Sequence, residues 1–67
     1  MEGFMKIDQS ATAINYAKKL SNGDVKVVTH YWYGKPATRV YTKHQFIAWR
    51  NSIIKTNQQE IKYGDIV

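Results

Sequence analysis

Between Ala13 and Tyr33 apolar and polar positions alternate in the manner of extended strands. Two runs, AINYAKKL and VKVVTHYWY, flank Ser21-Asn22-Gly23-Asp24. Asn-Gly between alternating segments predicts a hairpin closed by a type I′ turn, because that turn needs φ > 0 at both central residues. With Asn22-Gly23 as a two-residue loop, Leu20 faces Val25, Lys19 faces Lys26 and Tyr16 faces Thr29. Strand side chains alternate between faces. This register therefore sorts Ile14, Tyr16, Leu20, Val25, Val27 and Tyr31 to one side and Asn15, Lys19, Lys26, His30 and Trp32 to the other. A helix over 9–21, with Asp8 or Ser10 as N-cap and Gly23 just past its end, is the competing reading of the first run.

Gly34-Lys35-Pro36 marks a second turn, and the ATRVYT that follows is β-branched and aromatic, hence strand-like. If Tyr33 faces Thr38, Val40 lies beside Tyr31 on the apolar side, and Arg39 and Tyr41 join Trp32 and His30. Thr42-Lys43-His44-Gln45 then has the Thr-x-x-Gln form of a capping box. Beyond it Phe46, Ile47, Trp49, Ile53 and Ile54 recur at helical spacing. The expected fold is α+β: a three-stranded antiparallel sheet at about 13–20, 25–33 and 37–42, with one C-terminal helix, 43–55, packed on one face. The whole of 1–67 reads as one domain. Residues 1–12 read as a loosely ordered leader anchored by Phe4 and Ile7, and 56–67 as a polar tail that frays or adds a short extended segment.

Length and composition narrow the functional classes. At 67 residues the chain is near the size at which only roughly 60% of the unfolded surface is buried, so a substrate-enclosing pocket would hollow out the core. The absence of cysteine excludes disulfides and thiolate metal sites. A hydrophobic content of 43% argues that the chain folds nonetheless. No apolar stretch approaches the roughly 20 residues of a membrane span, and no signal-peptide core is visible. The expectation is a soluble, cytoplasmic protein with no membrane association.

The formal net charge is +5, and residues 18–55 hold eight of the ten Lys and Arg but only Asp24 of the five acids. Positive charge so concentrated creates a field that attracts polyanions. Once the helix covers one side of the sheet, the other side becomes the working surface. The register gives it Lys19, Lys26, His30, Trp32, Arg39 and Tyr41, with Lys35 in the adjoining turn. Lys19 opposite Lys26 is unfavourable for folding alone, and an anionic ligand relieves that repulsion.

Catalytic chemistry finds no such support. His30 and His44 are the only histidines, no acid lies near either in sequence, and a zinc site needs several convergent ligands. Ser10, Ser21 and Ser52 lack a histidine and carboxylate at motif spacing, and the isolated glycines form no phosphate loop. The expectation is a non-enzymatic binding protein without metal, cofactor or small-molecule substrate. Nucleic acid, duplex DNA first, is the expected partner. The alternative is a host protein or a second copy of the chain, engaged through Trp32, Tyr41 and Val28.

From Asn22 to about Ile53 the order of features, NGDVKVVTHYWYGKPATRVYTKHQFIAW, resembles the AP2-like class of small sheet-plus-helix DNA-binding domains. That class includes the N-terminal arm-binding domains of phage and conjugative-transposon tyrosine recombinases. The similar elements are the aromatic strand, the Gly34-Lys35 turn, the third strand, and a Thr-Lys helix start with Ala48-Trp49 inside the helix. The resemblance implies a sheet laid in the major groove, with Lys26, His30, Trp32, Arg39 and Tyr41 as contacts. No recombinase catalytic domain follows within these residues, so it implies an accessory or regulatory factor of phage or mobile-element type.

Overall fold

The computed structural model describes residues 3–53 and 63–66. Four strands form one antiparallel sheet in the order β1-β2-β3-β4: β1 (Met5–Gln9), β2 (Ala13–Lys19), β3 (Val25–Tyr31) and β4 (Ala37–Tyr41). The helix α1 (Lys43–Ile53) follows, and a short 3-10 turn occupies Tyr63–Asp65. The α+β class and the C-terminal helix agree with the sequence, and residues 13–19 are strand rather than helix. The sheet, however, has four strands, not three.

The additional strand lies in the segment expected to be a loose leader. β1 pairs with β2 through Met5 with Ala17 and Gln9 with Ile14, and a bulge between Lys6 and Asp8 interrupts the ladder. A bulge inserts an extra residue and bends its strand. Here Ile7 is only 2% exposed and joins the core. The β1–β2 turn carries no Asn-Gly signal. Instead the Ser10 hydroxyl accepts from the backbone N–H of Thr12 and Ala13, both at 3.2 Å, and Ser10 N donates to Ala13 O at 2.8 Å.

The β2–β3 hairpin forms where the sequence places it, but with a different loop. Gly23 N donates to Leu20 O at 3.0 Å and Leu20 N donates to Asp24 O at 2.8 Å, which leaves Ser21, Asn22 and Gly23 as a three-residue loop. Gly23 has φ +93, whereas no described non-glycine residue has positive φ. Asn22 therefore cannot serve in a type I′ turn, and the geometry matches the three-residue alternative that ends in one left-handed residue. Asn22 instead ties the loop down, its Oδ1 accepting from Asp24 N at 3.0 Å.

The consequence is a one-residue slip. Ala17 faces Val27, Lys18 faces Lys26 and Lys19 faces Val25. A slip of one inverts the face of every β2 residue relative to β3. β4 inverts as well, because Thr38 faces Val28 rather than Tyr33, an odd displacement. Gly34 does reverse the chain, with φ +109. A turn signal of this kind fixes where the chain turns back, not which residues pair across it.

α1 begins as the capping box predicts: Gln45 N donates to Thr42 Oγ1 at 3.2 Å and Thr42 N donates to Gln45 Oε1 at 3.0 Å. Its Phe46 is fully buried and packs with Ile7, Ala17, Val25, Val27 and Ile66. Ile66 belongs to the segment expected to be a polar tail. Residues 63–66 instead close the core: Ile66 is 2% exposed and Tyr63 Oη donates to Gly23 O at 2.6 Å. The rest of that expected tail, 56–62, together with Ile54 and Lys55 of the expected helix, lies outside the described residues.

Two stability measurements test this architecture. Gly23→Ala is expected to cost about 1–2 kcal/mol in chemical denaturation, the penalty of left-handed backbone for an L side chain. A Cβ there would meet Tyr63 Oη at an ordinary 3.5 Å, so the loss comes from the backbone and not from a clash. Unchanged stability would contradict the loop geometry. Ile66→Ala should remove about 2–5 kcal/mol, as core truncations do; a neutral result would mean that the C-terminal residues do not seal the core.

Candidate nucleic-acid interface

The two faces of the sheet differ in kind. On the helix-covered face β3 contributes Val25, Val27 and Thr29. The partner positions are Lys19, Ala17 and Asn15 on β2 and Tyr41, Arg39 and Ala37 on β4. On the outer face β3 contributes Lys26, Val28 and His30, opposite Lys18, Tyr16 and Ile14 on β2. Val40 and Thr38 of β4 complete that face on one side, and Lys6 of β1, opposite Tyr16, on the other.

Of the residues expected on the working surface, Lys26, His30 and Trp32 are on the outer side and Lys35 is exposed in the β3–β4 connection. Lys19, Arg39 and Tyr41 are not on the outer side. Both flanking strands are inverted against the central one, and these three side chains turn toward the helix. Lys19 Nζ sits 4.3 Å from the centroid of the Tyr63 ring. Tyr41 stacks on Trp49 at 5.6 Å, and the Arg39 guanidinium lies over both rings at 5.6 and 5.5 Å.

Arg39 also ends a polar row that crosses all four strands. Its Nη2 donates to Thr29 Oγ1 at 2.9 Å, and Thr29 Oγ1 donates to Asn15 Oδ1 at 2.6 Å. Asn15 Nδ2 makes a long 3.5 Å contact with Asp8 Oδ2. The row floors a cleft of about 410 Å³ walled by Tyr31, Trp49 and Ile53. With a guanidinium at one end and a carboxylate at the other, its polar groups largely satisfy one another. It leaves little unspent charge for a ligand.

The outer face has the opposite character. Lys18 and Lys26 stand directly opposite each other, a destabilising arrangement for like charges. Lys6 lies one strand over, its Nζ donating to Gln9 Oε1 at 3.0 Å. Among the described residues no strand position on this face carries a carboxylate. Asp8 is turned toward Asn15 on the other face, and Asp24 accepts from Asn22 Nδ2 in the turn. At the far end of β3 a shallow cleft of about 280 Å³ is lined by Ile14, Tyr16, His30, Tyr31 and Trp32. His30 meets Tyr16 edge to face at 5.6 Å and 89°, and Trp32 is 49% exposed.

The sequence reading missed Lys6, Lys18 and Tyr16. The signal for the last two was Gly23 itself, which as the third residue of a loop gives the observed register. Lys6 required recognising β1. Among the described residues no cluster of three or more His, Cys, Asp or Glu could hold a metal, and no helix is long and apolar enough to cross a membrane. Comparison with protein-family models, curated proteins and solved structures finds no match to the chain.

The two faces are separable by mutation. Arg39→Ala is expected to lower stability by about 1 kcal/mol, from its hydrogen bond and its stacking on two rings. Lys26→Ala should leave stability unchanged or slightly raised, since it removes a repulsion. Thermal denaturation of both variants checks this, and the reverse pattern would mean the faces are misassigned.

Proposed function

We propose that the protein is a nucleic-acid-binding module that engages its ligand through the outer face of the sheet. The observation that carries this reading is the facing pair Lys18 and Lys26, with Lys6 beside them and no carboxylate among the described strand positions of that face. Like charges facing each other across strands cost folding energy, and phosphates offset that cost on binding. Affinity is mainly electrostatic, and Trp32, Tyr16 and His30 add ring contacts at one end. The protein acts by binding rather than by catalysis, as an accessory or regulatory factor. The likeness to AP2-like domains points the same way, though of its implied contacts only Lys26, His30 and Trp32 belong to the outer surface.

A protein partner is the second reading, favoured by the aromatic run at the start of the β3–β4 connection. Tyr33 is 94% exposed there, next to Tyr31 and Trp32 at 46% and 49%. Exposed aromatics are frequent interface anchors. The other two anchors expected for that reading are less available, since Val28 is 6% exposed and Tyr41 is half-buried against Trp49.

Salt dependence tests the first reading. The logarithm of the association constant for an oligonucleotide should fall linearly with the logarithm of salt concentration. Lys26→Ala should flatten that slope by about 0.7–0.9, one phosphate contact. Fluorescence anisotropy at several salt concentrations measures both. Absence of binding at low salt, or a slope indifferent to Lys6, Lys18 and Lys26, would refute it.

A further inference from the structure

Resting on that reading, we infer that the ligand of the outer face is an unpaired strand, with one base seated in the cleft formed by Tyr16, His30 and Trp32. Width is the first argument. Four strands at about 4.8 Å spacing put β1 and β4 roughly 14 Å apart before side chains are counted. An undeformed major groove is about 12 Å wide and admits a helix or a two-stranded ribbon. Lys18 and Lys26 are on the two central strands, with β1 and β4 flanking them. The flanking strands therefore hold a duplex away from the residues that must reach it. A single strand meets no such obstruction, because it lies along the face.

The second argument is the arrangement along β3. The aromatic cleft and the lysine pair occupy opposite ends of the same strand: Lys26 and Trp32 are six positions apart, about 20 Å of extended chain. A few nucleotides of unpaired strand bridge that distance, phosphates over the lysines and a terminal base over the rings. The cleft volume of about 280 Å³ falls just below the ~300–1,000 Å³ of sites for whole small molecules, a size suited to one base. Its walls are ring faces and edges with the Ile14 side chain, and stacking on such walls accepts any base because every base has a π-face. Duplex DNA offers no free base face to this cleft. Four-stranded antiparallel sheets with surface aromatics are a recurring platform for unpaired bases.

The test uses the full chain and three fluorescent probes of equal length: a single-stranded oligothymidylate, the ribose equivalent oligouridylate, and a mixed-sequence duplex. The single strands should bind at least several-fold more tightly than the duplex, and the two sugar types show whether DNA or RNA is preferred. Trp32→Ala should weaken single-strand binding roughly 5- to 150-fold, the range for losing one base–aromatic stack, and weaken duplex binding by far less. Trp32→Phe should recover most of the loss. Trp32 lies past the end of β3 and is half-exposed, so these variants should melt at the wild-type temperature. Equal or tighter duplex binding, or a Trp32→Ala variant with full single-strand affinity, overturns the inference while leaving nucleic-acid binding intact. If none of the probes binds at low salt, the nucleic-acid reading itself falls and takes this one with it.

Discussion

The left-handed backbone at Gly23 closes the β2–β3 connection after three residues, and the rest of the molecule follows from that count. Side chains on a strand alternate, so the loop length decides which face each β2 residue occupies. With three residues in the loop, Ala17 lies beside Val27 under Phe46, and Lys18 and Tyr16 are turned to the open side. The same glycine is the docking point for the C-terminal segment, whose Tyr63 hydroxyl donates to its carbonyl. One backbone conformation thus ties the register of the sheet to closure of the core by Ile66.

That register segregates charge by circumstance. On the helix side the cations lie against neutral partners: Lys19 on the Tyr63 ring, Arg39 on Thr29 and two aromatic rings. On the outer side three strand lysines stand together; among the described residues Lys6 donates to Gln9 and Lys18 lies over the Phe4 ring. Like charges placed opposite each other cost a small domain stability, and the proposed polyanionic ligand would offset that cost. In the proposed function the aromatic residues at the end of β3 add a point of attachment that does not depend on charge.

Much of this was legible in the residues. The hairpin, the third turn-delimited strand, the helix and its Thr42–Gln45 cap all follow from local chemistry, and each is present. The central strand was also read correctly, with Val25 and Val27 inward and Lys26 and His30 outward. What failed was the relation of neighbouring strands to it. Asn-Gly suits two hairpin loops that differ by one residue, and nothing local chooses between them; packing does, by placing small Ala17 opposite Val27. The β3–β4 loop gave even less, because Gly34-Lys35-Pro36 marks a reversal without a register. β1 escaped notice because its turn relies on the Ser10 hydroxyl rather than on glycine, and because the bulge at Lys6–Asp8 breaks the alternation that would have flagged it. Lys19, Arg39 and Tyr41 were assigned to the wrong face for these reasons alone.

The two tryptophans lie on opposite faces and report on the central claim separately. Trp32 is on the outer surface, and Trp49 stacks on Tyr41 beneath Arg39. Each has one indole N–H, and a proton–nitrogen correlation spectrum resolves both during titration with an oligonucleotide. The account predicts that the Trp32 indole signal moves with saturable concentration dependence while that of Trp49 stays in place. Movement of Trp49 with Trp32 unaffected would put the ligand in the helix-side cleft and contradict it.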